Sequence, residues 1–524
     1  MQQGIWADVM DCSQREHTGD APAVRCAGWW KAQNGRDGAV TVCRKPGKVE
    51  VDEPADRAGC PHLWGTRTPG ALARIRIMGN RALSDDLAAL AADAYVYGFP
   101  LVSDLQHVRR LAGRGVGRIL SASFNRFSHA PRLAGPRNRF VSINNDTIYS
   151  IAQVDLSGGP VLLRVPDAGG RYYVLQFVDA WTNNFAYVGR RATGTAARSF
   201  LLTPPMWRGH APAGAAIIEF PTMVGTIVGR WACDGPGDLY AVRALQCRLS
   251  LTPSGIPRGI RRGIPVPTAV PARLAFFEQL RTWMRTFPPS EADRAYQQRF
   301  GPLGLLCPTS PYADQRPGLA AALTAGAVAA KQKIKTPLTA VGLAPVVNGW
   351  ALAFHMFDYN LDHLGLGTID DAAWKIHDRQ AGYLARALAA RGGLWGNHGY
   401  EAAYAVTYTD ANGEQLDGRR RYTLKLTRDP PVDAFWSITM YDVPDFYLIA
   451  NPIGRYSIGD RTPGLHRGSD GSLTIVIQHA PPADTSNWLP APAAPFRPVM
   501  RLYQPQAAVF DGSYRIPAIT KAAT

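Results

Sequence analysis

The sequence predicts a mixed but mainly β protein, with two antiparallel β domains that are sandwich-like or jelly-roll-like and are joined by a helical segment. The chain has 524 residues, and a single hydrophobic core stops growing at roughly 250–300 residues, so more than one domain is expected. Its 51 Gly and 41 Pro are typical of frequent turns between short strands. The apolar spacing changes from that of strands to that of helices and back. We therefore predict an extension, an N-terminal β domain, a helical linker region and a C-terminal β-sandwich domain at residues 1–80, 81–255, 256–397 and 398–524.

The first of these parts, residues 1–80, shows no sustained apolar period and is expected to be a disordered or non-native extension. Met78 stands just before the first clear helical pattern, so one interpretation is that translation starts there. Ser84 and the two acids after it form a helix N-cap signature. The run Gly98-Phe99-Pro100 is expected to interrupt or kink that helix.

Strand patterns follow in the N-terminal β domain. Val161 to Val165 and Arg171 to Val178 are rich in β-branched and aromatic residues. Between them lies the turn sequence Pro166 to Gly170, which contains two glycines. Two such runs around a glycine turn predict a β-hairpin.

The middle of the chain carries helical patterns. Apolar residues at helical spacing predict one amphipathic helix that ends at Pro288-Pro289: Phe276, Leu280, Trp283, Met284 and Phe287. A second helix is predicted from Asp370 to Arg391, closed by Gly392-Gly393.

The C-terminal domain returns to strand patterns. Tyr404 to Thr409 and Tyr422 to Thr427 flank a turn-rich segment, and Leu473 to Gln478 is apolar and β-branched. Residues 435 to 442 alternate strictly between two sets. These runs predict an antiparallel sandwich or jelly roll.

Charge and composition restrict the partners. The formal charge is +16 and the pI about 9.7, which favours nucleic acid or anionic surfaces. Only 9 of the 57 basic residues are Lys, the basic residues are spread out, and no aromatic residues are interleaved with them as in a base-stacking surface. We therefore expect a small-molecule ligand and not nucleic acid. No run of 18 apolar residues occurs, so no membrane span is expected, and without a secretory signal pattern the expected location is the cytoplasm.

Several motifs resemble a pair of known families. The stretches that resemble domain-of-unknown-function family 1254 are Asn144 to Ser150, Gly170 to Tyr173, Asp179 to Asn183, Gly229-Arg230 and Asp238 to Val242. The stretches that resemble its usual partner, family 1214, are Asp417-Gly418, Phe435 to Asp442, Asn451-Pro452, Arg455 to Asp460, Asp470 to Leu473 and Asn487 to Pro492.

The resemblance implies a fold of two β domains joined by helices and spans roughly residues 85 to 515. It implies no activity, because the family has no general assigned reaction. Many members begin with a signal peptide, so the resemblance makes secretion the alternative to the expected cytoplasmic location. This chain also carries extra residues between Asn348 and Tyr383.

The first candidate cluster is Asn144, Asn145, Asp146, Thr147 and Tyr149. Carboxamides and a carboxylate suit a hard cation or a polar ligand. The alternative is a turn in which Asn and Asp side chains bond nearby backbone N–H groups.

The second cluster is Arg171, Tyr173, Gln176, Asp179 and Asn183. On one strand, positions 171, 173 and 179 point to the same face. An arginine, a phenol and a carboxylate suit an anionic or hydroxylated ligand, with Asp179 as a general base. The alternative is a salt bridge between Arg171 and a carboxylate.

Two more clusters have structural alternatives. His355, Asp358, Asp362 and His363 would share a helical face that suits a transition metal, or would form Asp–His pairs on a polar face. The last cluster would form a sugar-binding surface, or would be sandwich core and strand-end turns: Trp436, Ser437, Tyr441 and Asp442, with Asn487 and Trp488. Serine-hydrolase and nucleotide-binding motifs are absent from the sequence.

The leading hypothesis is an uncharacterised enzyme, a hydrolase or lyase that acts on a polar small molecule or glycoside. The alternative is a non-catalytic ligand-binding or structural module, including subunit contacts in a homo-oligomer. The sequence assigns no cofactor and no metal ligands. The expected catalytic residues are Asp146, Asp179, Arg171 and Tyr173. The expected substrate-binding residues are Asn144, Asn145, Tyr149, Asn183, Trp436 and Asn487.

Overall fold

The computed structural model describes residues 73–116, 119–139, 142–254, 262–313 and 317–522, and the side chains from residue 85 onward. The expected N-terminal extension therefore lies almost wholly outside the described residues. The first element is the long helix α1 (Ala73–Gly113). Pro100 lies inside α1, which continues to Gly113. The helix is buried on most sides around this position, so tertiary packing compensates for the hydrogen bond that proline removes.

The N-terminal β region is a sandwich of two sheets. Its strands are β1 (Arg126–His129), β2 (Thr147–Asp155), β3 (Val161–Val165), β4 (Tyr173–Asp179), β5 (Asn184–Gly189), β6 (Arg198–Thr203), β7 (Ala215–Glu219), β8 (Val224–Ala232) and β9 (Ser250–Pro253), with α2 (Leu239–Arg248) before β9. One sheet has the order β1-β2-β8-β4-β5 and the other β7-β6-β3-β9. Apolar side chains of both sheets, such as Phe177, Trp231, Leu163 and Phe200, share one core.

The hairpin predicted from Val161 to Val178 is wrong. β3 pairs with β6 and β9, whereas β4 pairs with β5 and β8, so the two strands belong to different sheets. Their inward side chains meet in the shared core instead. The turn between them carries the chain across the sandwich, and a glycine turn between two strand patterns does not distinguish this arch from a hairpin.

The middle region is helical, as predicted. It contains α3 (Ala275–Thr286), α4 (Glu291–Gln298), α5 (Pro317–Lys333), the short strands β10 (Val346–Val347) and β11 (Trp350–Leu352), and α6 (Arg379–Gly393). α3 ends before the two prolines, as expected. α6 begins nine residues later than predicted, because Asp378 accepts a hydrogen bond from the Gln380 backbone N–H as its N-cap.

The C-terminal region is also a sandwich of two sheets. Its strands are β12 (Ala402–Thr407), β13 (Tyr422–Leu426), β14 (Val432–Asp442), β15 (Ser457–Gly459), β16 (Leu473–Gln478), β17 (Trp488–Pro490), β18 (Phe496–Pro505) and β19 (Thr520–Lys521), with α7 (Ala507–Phe510) after β18. The sheet orders are β10-β11-β12-β18-β14-β15 and β17-β16-β13-β19. The predicted fold class, two mainly antiparallel β regions linked by helices, is confirmed.

The alternation along β14 gives its two faces different roles. Trp436, Ile438 and Met440 enter the core between the two C-terminal sheets. Ser437 and Thr439 lie on the other face, which points away from that core. Among the described residues, no helix is long and apolar enough to cross a membrane.

Candidate functional site

Polar side chains of the two sandwiches meet where the five-stranded sheet contacts the six-stranded sheet. β14 is paired with β18, and Ser437 on the outer face of β14 lies opposite Arg501 in the ladder. Both residues are buried although both are polar. We call the set of side chains gathered at this contact the junction cluster, which consists of Asn144, Asp146, Tyr149, Arg230, Tyr404, Ser437, Arg501 and Tyr503.

Asp146 links the two sandwiches directly. Its Oδ2 accepts hydrogen bonds from the Ser437 hydroxyl at 2.6 Å and from the Tyr503 hydroxyl at 3.1 Å. Asn144 holds this corner in place, since its Oδ1 accepts from the backbone N–H groups of Asp146 and Thr147. The Asn144 amide also donates to the Tyr503 hydroxyl at 2.6 Å. The asparagine turn is therefore both a local turn and part of the junction cluster.

Arg501 places a buried positive charge beside this carboxylate. Burial by itself lowers the pKa of Arg501, but the neighbouring Tyr441 and Tyr503 phenols and the Asp146 carboxylate raise it by more, so the pKa is raised. The guanidinium donates to the Thr439 hydroxyl and to the Tyr441 hydroxyl, each at 2.8 Å. The group therefore stays charged inside the protein.

Arg230 brings a second buried guanidinium from β8. It donates to Gln176 Oε1 at 2.7 Å, to the Trp395 carbonyl at 2.6 Å and to Asn397 Oδ1 at 3.3 Å. Its carbon Cζ lies 5.4 Å from the centre of the Tyr149 ring. Burial lowers the pKa of Arg230, but the Tyr149 phenol and other nearby phenols raise it by more. Every acceptor of these three hydrogen bonds is neutral.

Arg171 makes a bidentate ion pair with Asp238. The distances are 2.5 Å to Oδ2 and 2.6 Å to Oδ1, and the same guanidinium donates to the Ala232 carbonyl at 2.8 Å. Hydrogen bonding to Asp238 raises the pKa of Arg171. The residue precedes β4 and is not part of it, so the shared strand face expected for positions 171 to 179 does not extend to Arg171.

Tyr173 lies in the core of the N-terminal sandwich. Its ring stacks on Trp231, with 4.8 Å between centroids and 16° between planes. Burial raises the pKa of its phenol to about 12. The Tyr173 hydroxyl donates a hydrogen bond to the Gly194 carbonyl at 3.4 Å.

Asp179 and Asn183 close the turn after β4. Asp179 Oδ1 accepts from the backbone N–H groups of Trp181 and Asn183 at 2.9 and 2.8 Å, and Oδ2 accepts from Asn183 Nδ2 at 2.8 Å. Asn183 Oδ1 in turn accepts from Arg386 at 2.9 Å. In the described part of the chain, Asp179 shares none of these hydrogen-bond partners with Asp146 or Arg171.

The remaining predicted binding residues have structural partners. Asn145 donates to the Ala134 carbonyl and accepts from the Ser457 hydroxyl. Trp436 is 1% exposed and belongs to the C-terminal core. Asn487 exchanges two hydrogen bonds with the His466 backbone.

The predicted histidine–aspartate face is rearranged. Residues 354–359 form turns and not a helix. Asp358 binds His355 and a histidine from a different segment, His398, at 2.7 and 3.2 Å. Asp362 instead pairs with Arg379. Among the described residues no group of three or more His, Cys, Asp or Glu side chains is arranged to hold a metal ion.

An open groove of about 610 Å³ lies elsewhere, along α5. Its lining includes Arg273, Pro317, Ala320, Thr324 and Val328. No residue of the junction cluster lines it.

The expected catalytic and binding residues include three of the eight residues of the junction cluster, namely Asn144, Asp146 and Tyr149. Ser437 was named only in the candidate sugar-binding surface. Sequence reasoning missed the other four, which are Arg230, Tyr404, Arg501 and Tyr503. The available signal was the polar face of β14 in a strand whose other face is apolar. Such a face is expected to be exposed, and only its burial against the other sandwich reveals a site.

Comparison with known proteins agrees with the sequence motifs. Residues 124–253 match the family described as a protein of unknown function, DUF1254, and residues 401–507 match the one described as a protein of unknown function, DUF1214. The two regions occur in the predicted order, so the predicted resemblance is confirmed. Every residue of the junction cluster lies in one of these two regions.

Similarity beyond the family regions is limited to solved structures. No curated protein matches the chain. The crystal structure of the VPA0106 protein from Vibrio parahaemolyticus is 24% identical with a TM-score of 0.62, over 83% of this chain and 100% of that one. An uncharacterised protein from Burkholderia cenocepacia is 10% identical with a TM-score of 0.39, over 86% of this chain and 99% of that one. The Vibrio protein shares the fold.

Proposed function

We propose that the chain binds a small polar molecule with an anionic group in the junction cluster. The observation that carries this proposal is the environment of Arg230. Its buried guanidinium donates to a side-chain amide oxygen of Gln176, to a carbonyl and to Asn397 Oδ1, and among the described residues it has no ion pair with a carboxylate. A buried charge without a counter-charge is costly, so an anionic ligand would be strongly favoured there.

The balance of charges across the junction cluster points the same way. Two buried guanidinium groups, those of Arg230 and Arg501, accompany one carboxylate, that of Asp146. The nearby Glu401 is already paired with Arg191 at 2.7 Å. The cluster thus carries a surplus of positive charge that an anion would neutralise.

A free donor lies beside Arg230. Asn397 is 1% exposed, and its Oδ1 accepts from Arg230. Its Nδ2 has no hydrogen-bond partner within the described part of the chain. A buried amide donor without an acceptor costs about 1–3 kcal/mol. A carboxylate or phosphate oxygen that bridges Arg230 and Asn397 would satisfy both groups.

Access requires movement of the segment that covers Arg230. The carbonyls of Trp395 and Gly396 accept from Arg230, Gln176 and Asn184 on the sheet face. This segment therefore closes the site, and a ligand would enter by displacing it. Such closure would exclude water and strengthen the charge interactions inside.

The test is a thermal-shift screen of small carboxylates and phosphates, with neutral sugars as the comparison. A ligand at a hundred times its Kd adds about 2.7 kcal/mol of stability. We expect anions to raise the melting temperature, the Arg230→Met variant to lose the shift, and Arg164→Met, at an exposed strand position, to keep it. Shifts produced by neutral sugars alone would contradict the proposal.

A second candidate function is hydrolysis or lyase chemistry on a polar small molecule or glycoside. It is favoured by Asp146, a buried carboxylate that two hydroxyls hold in one orientation. In this case Asp146 would act as the general base. An Asp146→Asn variant would keep ligand binding and lose turnover of that ligand, whereas a pure binding module shows no turnover in either form. Catalytic roles for Arg171, Tyr173 and Asp179 stay predictions.

A further inference from the structure

His398 carries a buried ring nitrogen that nothing in the proposed binding mode uses. The residue is 2% exposed. Its Nδ1 lies 3.2 Å from Asp358 Oδ1. Its Nε2 is buried and has no hydrogen-bond partner among the described residues.

Asp358 determines which nitrogen carries the proton. Burial raises the pKa of Asp358, but hydrogen bonds from His355 and His398 lower it by more, so the carboxyl is ionised near neutral pH. An ionised carboxylate only accepts hydrogen bonds. The Nδ1 of neutral His398 must therefore carry the hydrogen, and its Nε2 presents a lone pair.

The neighbours of the imidazole leave that lone pair unused. The ring stacks on Tyr400, with 4.9 Å between centroids and 14° between planes, and it meets Tyr187 edge to face. The Tyr187 hydroxyl accepts from the His398 backbone N–H at 3.1 Å. The ring is thus fixed by Asp358 and two aromatic rings, with an acceptor nitrogen left over.

His398 lies close to the proposed anion site. It follows Asn397, whose amide contacts Arg230. Tyr187, which contacts His398, is paired across β4 and β5 with Gln176, which contacts Arg230. Asn397 Nδ2 and His398 Nε2, both buried and without a hydrogen-bond partner in the described part of the chain, thus belong to consecutive residues.

We propose that His398 Nε2 accepts a hydrogen bond from a hydroxyl or amino group of the same ligand whose anionic group binds Arg230 and Asn397. The inference rests on the proposed function and narrows its ligand class to small hydroxy acids and amino acids. Arg230 and Asn397 supply donors to the anion, and His398 supplies the acceptor for the second group.

The first test needs no ligand. In the unsubstituted protein with ¹⁵N-labelled histidine, long-range proton–nitrogen NMR correlations distinguish the two tautomers. We expect the signals of the neutral His398 ring to show hydrogen on Nδ1 and none on Nε2. A proton on Nε2 would overturn the inference whatever the ligand is.

The second test compares acetate with glycolate, which differs by one hydroxyl group. A hydroxyl that pairs with an otherwise unpaired buried acceptor strengthens binding, so we expect glycolate to bind about tenfold more tightly, as measured by calorimetry. In His398→Phe, which keeps a ring against Tyr400, the two Kd values should become equal while acetate affinity is retained. His466→Phe is the matched control, because His466 is 3.2 Å from Asp484 but exposed.

The outcomes separate the two proposals. Equal binding of acetate and glycolate to the unsubstituted protein overturns the role of His398 and leaves the anion site standing. A preference for glycolate that survives in His398→Phe has the same meaning. Failure of both acids to bind, together with failure of the wider anion screen, overturns the proposed function and this inference with it. If His398→Phe does not fold, His398→Leu, which also lacks a hydrogen-bond acceptor, replaces it.

Discussion

At the scale of single residues, the stretch from Asn144 to Tyr149 shows how far a local pattern reaches. Both interpretations of it apply, because Asn144 bonds the backbone of its own turn and also donates to Tyr503. The partners Ser437 and Tyr503 lie some 290 and 357 residues away in the chain. Their identity depends on how two sandwiches pack, which no local spacing encodes.

The phenol of Tyr173 gives a prediction about alkaline stability. Burial raises its pKa to about 12, above the value of about 10 for an exposed tyrosine. The folded state thus holds this proton more tightly than the unfolded chain does. The resulting stabilisation is fully present below about pH 10 and is lost as the pH rises towards 12. Tyr173→Phe removes this titration. Between those pH values its free energy of unfolding should therefore fall by roughly 2–3 kcal/mol less than that of the unsubstituted protein.

Urea unfolding at a series of pH values measures this difference. Tyr240→Phe is the matched control, because Tyr240 is 86% exposed, and its stability should fall in parallel with that of the unsubstituted protein. A parallel fall in Tyr173→Phe would show that the phenol is not buried in the sandwich core.

At the scale of elements, sequence patterns predict where a strand or helix lies better than they predict which strands pair with each other. The apolar run from Leu473 to Gln478 coincides with β16. The runs that became β3 and β4 were equally clear, yet they joined different sheets. The alternation along a strand determines which side chains enter a core. A hairpin and an arch between two sheets are both compatible with that alternation. Pairing is decided by the whole sandwich.

The packing of α5 on α1 gives a prediction with an internal control. A Cβ added at Gly326 would lie 2.5 Å from Ala91 Cβ and 2.6 Å from the Ala88 carbonyl oxygen, whereas one added at Gly318 meets nothing within 4 Å. Replacing a helical Gly by Ala gains roughly 0.5–1 kcal/mol where space allows, but overpacking costs typically 1–3 kcal/mol. Gly326→Ala should therefore lower the free energy of unfolding, and Gly318→Ala should leave it unchanged or raise it.

Chemical denaturation of the two variants measures both changes. Equal effects at the two positions would mean that α5 does not approach α1 as closely as the structure shows.

At the scale of the whole molecule, the sequence predicted two β regions, a helical region between them and the family motifs in order. The predicted domain boundaries stay a prediction. What the sequence did not predict is that the polar face of β14 is buried against the other sandwich, where Asp146 reaches Ser437. A polar strand face is normally exposed, so periodicity assigns it to solvent. The contact between sandwiches adds the information that periodicity lacks.

The hydrogen bonds of Asp146 across this contact predict that the stabilities of the two sandwiches are coupled. Replacing Asp146 by Ala leaves the Ser437 and Tyr503 hydroxyls without their acceptor, at a cost of about 1–3 kcal/mol, and each 1.4 kcal/mol is roughly a factor of ten in an opening equilibrium. Hydrogen exchange should therefore rise about fivefold or more in β2 and β8 of the N-terminal sandwich and in β14 and β18 of the C-terminal one, since these strands flank the carboxylate.

Asp167→Ala separates this coupling from the loss of any carboxylate. The Asp167 carboxylate accepts a local turn bond from the Gly169 backbone N–H, so its variant should show faster exchange near that turn and nowhere else. If exchange in Asp146→Ala rises in β2 and β8 while β14 and β18 keep their protection, the carboxylate does not stabilise the C-terminal sheet. The junction cluster would then be a polar surface of one sandwich, and an anion bound there would order that sandwich alone. If all four strands respond, an anion bound to Arg230 should stabilise both sandwiches together, because Asp146, Ser437 and Tyr503, which form the link, belong to the same cluster as Arg230.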